Sequence, residues 1–354
     1  MRLPLSELDE TKLAQFENQF THCLQLRSGM LDAQHESALR LFNGYYEGYK
    51  GLIVDLYARA AVISDHNQVD SRDQNPFLIV IVRILLEKYP WLESILLKRR
   101  ASTNPEERTG VLRHGNKLPG WIEENGVRYA IDLRLNQDES FFLDTRLLRH
   151  WLKDQSQGKS VLNCFAYSGT LGIAALAGQA RRVLQTDVSA SFLELARKSA
   201  KLARYPGEMK VLPLDFFKVV SRMKTSGELF DIVILDPPFF STTKAGRVDL
   251  LADWVGLINK ARPLVADGGK LVAINNALFA TGAEIQTQIE SLFHGGYVEM
   301  DSIIPVPEDC TGFPDTIHEK APAEPAPYNH STKINILTVH RKDGRKAGIP
   351  QVAG

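Results

Sequence analysis

The chain has 354 residues, enough for two domains, and its 44% hydrophobic content is ordinary for a protein that buries full cores. Lys and Arg number 42, as do Asp and Glu, so the formal net charge is zero and bulk charge lends no support to a nucleic-acid partner. The three cysteines, Cys23, Cys164 and Cys310, lack the spacing of a metal site or disulfide framework. No segment reads as a membrane span or secretory signal, so we expect a cytoplasmic protein that uses neither membrane nor metal.

The N-terminal part of the chain combines a helix with short strands. A helical pattern runs from about Ser6 to His35, and strand patterns follow at Leu39 to Phe42, Leu52 to Tyr57 and Ala61 to Ile63. Short strands joined by a glycine-rich link predict a small antiparallel sheet.

The densest basic region of the chain follows a strand pattern that begins at Ser94. It predicts contact with RNA phosphates, with a solvated loop as the alternative, which Glu106 and Glu107 favour. The basic residues are Lys98, Arg99, Arg100, Arg108, Arg113, His114 and Lys117.

A hairpin pattern follows at Trp121 to Leu133, because Asn125-Gly126 supplies the two positive-φ residues of a type I′ turn. We expect the hairpin to end a first domain, residues 1–134, made of the N-terminal helix and a small α+β unit for RNA or substrate recognition. Residues 135–354 would form the second domain.

The second domain opens on a strand, a tight turn and a helix, over Ser160 to Ala177. Gly169 lets the turn backbone approach a ligand, and the next strand ends at Asp187, where a carboxylate typically binds the hydroxyls of a ribose. Only Gly169 and Gly172 remain of the three glycines that admit a pyrophosphate. The pattern therefore predicts a nucleoside cofactor without phosphates.

A buried strand, Phe230 to Leu235, then runs into Asp236-Pro237-Pro238-Phe239. With the preceding turn, this motif resembles class I S-adenosylmethionine-dependent methyltransferases, in particular members that methylate nucleobases. The resemblance implies a Rossmann-like α/β domain with a mostly parallel sheet and an antiparallel last strand, preceded by a smaller α+β domain. It also implies S-adenosylmethionine as the cofactor.

A narrower resemblance rests on Ser140-Phe141-Phe142-Leu143-Asp144-Thr145-Arg146 followed by Leu162 to Gly169. Both are similar to the bacterial family of large-subunit ribosomal RNA methyltransferases that includes a cytosine-C5 enzyme. The resemblance implies that Phe142, Asp144 and Arg146 lie against the cofactor, and it makes ribosomal RNA the expected substrate. The sequence leaves the oligomeric state open, with a homodimer as one alternative. The full set of predicted cofactor-binding residues is Phe142, Asp144, Arg146, Asn163, Phe165, Ala166, Tyr167, Ser168, Gly169, Asp187, Val188, Ser189, Asp215 and Phe216.

Two features depart from that family. Its best-known members begin with a PUA-type RNA-binding domain, for which this chain offers no room before Leu39. Its cytosine-C5 chemistry uses a cysteine after the fifth strand, where this chain has Asn275-Asn276-Ala277. A guanine nitrogen already carries a lone pair and needs no covalent activation, so the sequence favours guanine-nitrogen methylation over cytosine C5.

The predicted catalytic residues are Asp236, Pro237, Pro238 and Phe239. The Asp236 carboxylate and the motif's carbonyl groups would accept hydrogen bonds from the base, and Phe239 would stack on it. A long proline-rich loop, Pro305 to Lys333, could wall the substrate pocket.

The sequence leaves three alternatives to an RNA methyltransferase. They are a small-molecule methyltransferase, a non-catalytic cofactor-binding protein associated with RNA, and an NAD-dependent oxidoreductase, which would leave Asp-Pro-Pro-Phe unexplained.

Overall fold

The computed structural model describes residues 10–67 and 75–348. The chain forms two compact units: the first holds the residues up to Leu143 together with Pro307–Lys320, and the second holds Asp144–Val306 and the residues from Ala321 onward. The predicted start of the N-terminal helix, Ser6 to Asp9, lies outside the described ranges.

The first unit is built on a mixed five-stranded sheet. Its strands, which neighbour one another in chain order, are β1 (Ala38–Asn43), β2 (Leu52–Tyr57), β3 (Ala60–Asp65), β4 (Ser94–Arg99) and β5 (Val111–His114). The predicted antiparallel pairing of the first three strands is confirmed. The sheet is larger than predicted, because β4 adds in parallel to β3 and β5 adds antiparallel to β4.

Helices and a hairpin complete this unit. They are α1 (Glu10–Leu26), α2 (Pro76–Lys88), the single-turn α3 (Pro105–Thr109), β6 (Trp121–Glu124) and β7 (Val127–Ala130). The parallel pairing of β3 and β4 requires a crossover, which α2 supplies, and Asn75 begins α2 by accepting a hydrogen bond from the Phe77 N–H. The predicted hairpin turn is confirmed, with φ of 55° at Asn125 and 72° at Gly126.

The domain boundary differs from the predicted one because of the buried side chain of Lys98. Its Nζ donates to the carbonyl oxygens of Asn136, Gln137 and Asp138 at 3.5, 3.3 and 3.0 Å, and it pairs with Glu139 at 3.3 Å. A buried ammonium needs such partners, so the segment that follows the hairpin stays with the first unit as far as Leu143. The basic region is therefore partly structural rather than a uniformly solvated loop.

A second difference concerns the proline-rich loop, of which Pro307–Lys320 belongs to the first unit. The reason is a buried ion pair between Arg27 and Glu47, with both side chains 0% exposed and Nη1 to Oε1 at 3.0 Å. Arg27 also donates to the Asp309 carbonyl at 3.0 Å, and the Thr316 hydroxyl donates to Glu47 at 2.6 Å. The Asn43 N–H donates to the other Glu47 oxygen. The returning segment thus completes the hydrogen bonding of two buried charges.

The second unit contains a seven-stranded sheet. Its strands are β8 (Ser160–Cys164), β9 (Arg182–Asp187), β10 (Glu208–Pro213), β11 (Phe230–Leu235), β14 (Val265–Asn275), β15 (Val298–Ile304) and β16 (Lys333–Val339). A separate hairpin is formed by β12 (Phe240–Thr243) and β13 (Gly246–Asp249). The spatial order is β10-β9-β8-β11-β14-β16-β15, and β16 lies antiparallel to both of its neighbours. The predicted Rossmann-like class I architecture, including the antiparallel last strand, is confirmed.

Helices cover both faces of this sheet. They are α4 (Arg146–Gln155), α5 (Thr170–Ala177), α6 (Ala190–Lys201), α7 (Phe216–Ser226), α8 (Trp254–Ala261) and α9 (Gly282–Glu290). One core packs α4 and α5 against Val161 and Ile234, and the other packs α7, α8 and α9 against Leu162 and Val233. The strand order reverses at β8, and ligands of open α/β sheets bind in the crevice beyond the carboxyl ends of strands at such a point.

We expect Arg27→Met and Glu47→Gln each to lower the free energy of unfolding of the first unit by about 3–5 kcal/mol, because each leaves a buried charge unpaired. Urea denaturation, with amide hydrogen exchange in β1 to β3 as the reporter for this unit, measures the effect. The control is Arg83→Met, which breaks the exposed Arg83–Glu17 pair (2.7 Å) and should cost about 0–1 kcal/mol. Equal losses for the two pairs would contradict the structural role of the buried one.

Candidate active site

The chain leaves β8 through a turn of unusual backbone geometry. Phe165, Tyr167 and Gly169 all have positive φ, at 56°, 50° and 78°. The turn is fixed by hydrogen bonds from the Ala166 N–H to the Thr186 carbonyl (2.8 Å) and from the Gly169 N–H to the Ala166 carbonyl (2.7 Å). Left-handed backbone at two non-glycine residues is costly, and such residues concentrate at binding sites.

The two glycines of the motif serve close packing as well as backbone freedom. A Cβ at Gly169 would lie 2.5 Å from Ala196 Cβ and 2.7 Å from Gln185 Nε2, and one at Gly172 would lie 2.5 Å from Gln185 Cδ. The space that a Cβ would need is filled by atoms of β9 and α6, so these glycines let the start of α5 pack closely against the neighbouring strand. That the turn backbone also approaches a ligand stays a prediction.

Asp187 ends β9 and connects the turn to the next helix. Its Oδ2 accepts a hydrogen bond from the Tyr167 N–H, and its Oδ1 accepts one from the Ser189 N–H, both at 2.9 Å. Ser189 caps α6 through the Phe192 N–H, and Val188 is exposed between them. Each Asp187 oxygen keeps a lone pair, so the carboxylate fits the two hydroxyls of a ribose.

Asn163 and Ser168 are buried, whereas Phe165 and Tyr167 of the same turn are half-buried. The Asn163 side chain donates to Gln185 Oε1 at 3.0 Å, beneath α5. Asn163, predicted as a cofactor residue, therefore supports the turn from below.

Asp215 and Phe216 stand where β10 passes into α7. Asp215 Oδ1 accepts the Phe217 N–H as the helix cap, and its Oδ2 accepts the Thr243 hydroxyl at 2.8 Å. The Phe216 ring is buried and stacks on Phe165 with centroids 4.9 Å apart. The Asp215–Phe216 corner is thus joined to the β8 turn through two aromatic rings.

The Asp-Pro-Pro-Phe motif follows β11 directly, on the strand beside β8. Pro237 is buried, whereas Pro238 and Phe239 are exposed. Within the described ranges Asp236 has no hydrogen-bond partner, and burial together with neighbouring Asp144 raises the pKa of Asp236 to about 7. An unpartnered carboxyl group that titrates near neutral pH is typical of a functional site.

Asp144 is therefore close to the motif, although the sequence assigned it only to the cofactor. It starts the second unit, just before Arg146 begins α4, and its Oδ2 accepts a hydrogen bond from the Thr332 hydroxyl at 2.7 Å. Phe142 belongs to the first unit and is exposed.

Thr332 is a site residue that the sequence did not single out by itself. It lies in the run Tyr328-Asn329-His330-Ser331-Thr332-Lys333, at the end of the proline-rich loop that the sequence predicts to wall the substrate pocket. In the structure the Tyr328 hydroxyl donates to Asn335 of β16 at 2.7 Å, which ties this run to the sheet. Only the part of the loop from Ala321 onward belongs to the second unit.

The cysteines offer no nucleophile. Cys23, Cys164 and Cys310 are all buried, and burial raises the pKa of Cys164, at the end of β8, to about 12. Among residues 10–67 and 75–348 there is no group of three or more metal-ligating side chains, and no helix in these ranges is long and apolar enough to cross a membrane.

Comparison with known proteins agrees with this geometry. Residues 95–290 match the family described as S-adenosylmethionine-dependent methyltransferases. The chain is 31% identical over 260 residues to ribosomal RNA large subunit methyltransferase I of Aeromonas salmonicida, covering 73% of this chain and 65% of that protein. It is 33% identical over 274 residues to the enzyme of the same name from Vibrio campbellii, covering 75% and 68%.

The match with the Aeromonas protein thus spans less than two thirds of that relative's length. Among solved structures, one assigned as a S-adenosylmethionine-dependent methyltransferase from Streptococcus mutans has a TM-score of 0.77 at 21% identity, covering 92% of this chain and 81% of that one. The fold, the turn after β8 and the family match agree, and the chain belongs to the S-adenosylmethionine-dependent methyltransferase family.

Proposed function

We propose that this protein transfers the methyl group of S-adenosylmethionine to a base of ribosomal RNA, with a guanine nitrogen as the acceptor rather than cytosine C5. The observation that carries the proposal is Asp236, an unpartnered carboxyl group at the end of β11, next to the turn that ends β8. The relatives from Aeromonas and Vibrio support RNA as the substrate class. RNA recognition by the first unit and homodimer formation stay predictions.

The cofactor residues act through the β8 turn and Asp187. When bound, S-adenosylmethionine supplies an activated methyl group on a positively charged sulfur, so the protein mainly has to bind and orient. Asp187 would hold the ribose hydroxyls, Val188 and the Phe165–Phe216 pair would border the adenine, and the backbone of Ala166 to Gly169 would hold the rest. Asp144 and Arg146 would flank the methionine portion.

The Asp-Pro-Pro-Phe motif would bind the target base. Proline nitrogens carry no hydrogen, so Pro237 and Pro238 offer no N–H donors that compete with the base. The carbonyl groups of Asp236 and Pro237 can therefore accept hydrogen bonds from the N–H groups of the base. The Asp236 carboxylate would counter the positive charge that develops on the base during transfer. Phe239 would stack on the base, whereas the Phe240 ring already lies under Arg247 at 5.1 Å.

The choice of a nitrogen acceptor rests on the missing nucleophile. Carbon-5 of cytosine must be activated by addition of a thiolate, and Cys164 is buried with a pKa of about 12. The other two cysteines belong to the first unit and are buried as well. A guanine nitrogen with its own lone pair requires only orientation and charge stabilisation.

Transfer of labelled methyl groups to total RNA from a strain lacking this gene, followed by nucleoside analysis, tests the proposal. Labelled methylguanosine in ribosomal RNA is the expected product. Labelled 5-methylcytidine would overturn the nitrogen assignment, and the absence of transfer to RNA by a protein that binds the cofactor would overturn the substrate class.

We expect Asp187→Ala to weaken S-adenosylmethionine binding by about ten- to a hundredfold, since hydrogen bonds to a charged acceptor contribute about 1.5–3 kcal/mol. Isothermal titration with the cofactor measures it. Glu194→Gln, which removes an exposed carboxylate paired with Arg197 on α6, is the matched control and should bind like the wild type. Unchanged affinity in the Asp187 variant would remove this residue from the site.

Asp236→Asn should lower the rate of methyl transfer by about a hundredfold or more, because the variant loses the charge that stabilises the transition state. Its cofactor affinity should stay within about threefold of the wild type. Asp301→Asn, on the exposed side of β15, is the control and should retain full activity.

The Asn variant should also be at least as stable as the wild type above pH 7. Burial and Asp144 raise the pKa of Asp236, so the native wild type holds a proton that the unfolded chain releases, and its stability falls as the pH rises from about 4 to about 7. Inactivity combined with a lowered melting temperature at pH 8 would point to misfolding instead of lost catalysis.

The single-turnover rate of methyl transfer should rise with pH through a midpoint at about pH 7, as Asp236 ionises. Asp144→Asn removes the neighbouring negative charge, so it should lower the pKa of Asp236 and move the midpoint of the profile to more acidic pH. A midpoint that does not move in this variant would exclude Asp236 as the titrating group.

A further inference from the structure

The residues after β14 emerge beside the Asp-Pro-Pro-Phe motif. Strands β11 and β14 are parallel, and Leu235 is paired with Ala273. Counting on by two residues in each strand brings Pro237 level with Asn275, and neighbouring strands lie about 4.8 Å apart. The turn that follows Asn275 therefore starts next to the proposed base-binding motif.

This turn has both of its ends fixed. Asn275 Oδ1 accepts the Ala277 N–H at 2.9 Å, and the Ala280 N–H donates to the Ala277 carbonyl at 3.3 Å. Ala277 and Ala280 are buried in the core, and a capping box between Thr281 and Glu284 begins α9 directly afterwards. The backbone on each side of the turn is thus held in place.

A buried lysine fastens the same turn from β16. Lys333 is paired with Asn275 in the sheet, and its Nζ donates to the Ala277 carbonyl at 3.0 Å and to the Ser331 carbonyl at 2.9 Å. Burial lowers the pKa of Lys333 to about 8, which means that keeping the charged ammonium group in this position is energetically unfavourable. A cost of this kind is reasonable where the position of the turn matters.

The corner of the turn is apolar, which is contrary to what turns ordinarily contain. Turn positions are usually occupied by Gly, Asn, Asp, Ser or Pro. In this turn they are occupied by Leu278 and Phe279. Phe279 is 72% exposed, the largest value among the exposed large hydrophobic side chains within the described ranges, and Leu278 is 45% exposed. A rigid backbone thus presents an aromatic ring to solvent beside the site.

We propose that Phe279 stacks on a nucleobase next to the target nucleotide and holds the RNA while the target base enters the Asp-Pro-Pro-Phe site. This inference rests on the proposed RNA substrate. Aromatic side chains stack on unpaired bases, and a base must leave its stack to be methylated on its ring edge. The turn lies beside Pro237 of the proposed base-binding motif, where a nucleotide next to the target would be. This position favours RNA over a lipid or a protein partner, because neither of those would have to bind next to the target base.

The test compares Phe279→Ala, Phe279→Leu and Phe279→Trp in methyl transfer to ribosomal RNA. Loss of one stacked base should raise KM by about five- to a hundredfold in the Ala and Leu variants, while Trp retains the wild-type value. Cofactor affinity should be unchanged in all three. His294→Ala, which removes an exposed ring just before β15 in the second unit, is the control and should not alter KM.

Wild-type values in the Ala and Leu variants would overturn the inference while leaving the proposed function intact, because the wild type would still methylate RNA. If the wild type methylates no RNA, the proposed function fails. The inference is then decided by ultraviolet crosslinking of the wild type to ribosomal RNA carrying 4-thiouridine. A crosslinked peptide that contains Phe279 supports stacking, and crosslinks confined to other peptides, or none, overturn it.

Discussion

The close approach of α5 to Gln185 is the constraint on which the second unit's site depends. A Cβ at Gly169 or Gly172 would clash with this side chain. Because both residues are glycine, the helix can begin immediately above β9. That proximity brings the Tyr167 N–H to the Asp187 carboxylate, and it joins the ends of two parallel strands into one rigid edge. Buried Asn163, hydrogen-bonded to the same Gln185, supports the arrangement from within the sheet. A small set of contacts thereby fixes the shape of the turn after β8.

The neighbouring carboxyl groups of Asp144 and Asp236 show a different use of burial. Placing a carboxyl group where it has no hydrogen-bond partner does not stabilise a fold, and a second carboxylate nearby adds to the cost. The proposed function gives a reason to keep it, since a methyl acceptor becomes positively charged during transfer. Asp144 accepts a hydrogen bond from Thr332. The segments that contain Asp144, Asp236 and Thr332 are far apart in the sequence and come together here.

Local patterns in the sequence account for the parts of the structure that were predicted. A few consecutive residues suffice to specify each of three features: the strand, turn and helix around Gly169, the Asn125-Gly126 hairpin, and the motif after β11. The antiparallel β16 followed from the family resemblance. Long-range pairings left no such signal: the burial of Lys98 among three carbonyl groups, the placement of Asp144 near Asp236, and the hydrogen bonds to Gln185 all depend on residues brought together only by folding. The burial of Lys98 within the basic region therefore could not be predicted.

The return of Pro307–Lys320 to the first unit has a consequence for the order in which the chain folds during synthesis. Arg27 and Glu47 are made early, but Asp309 and Thr316, which complete their hydrogen bonds, are made only after most of the second unit. Domains usually fold one after another as they leave the ribosome. Here the first unit cannot complete its folding before the second unit has been synthesised. The hydrogen bonding of its two buried charges stays incomplete until Pro307–Lys320 has emerged from the ribosome.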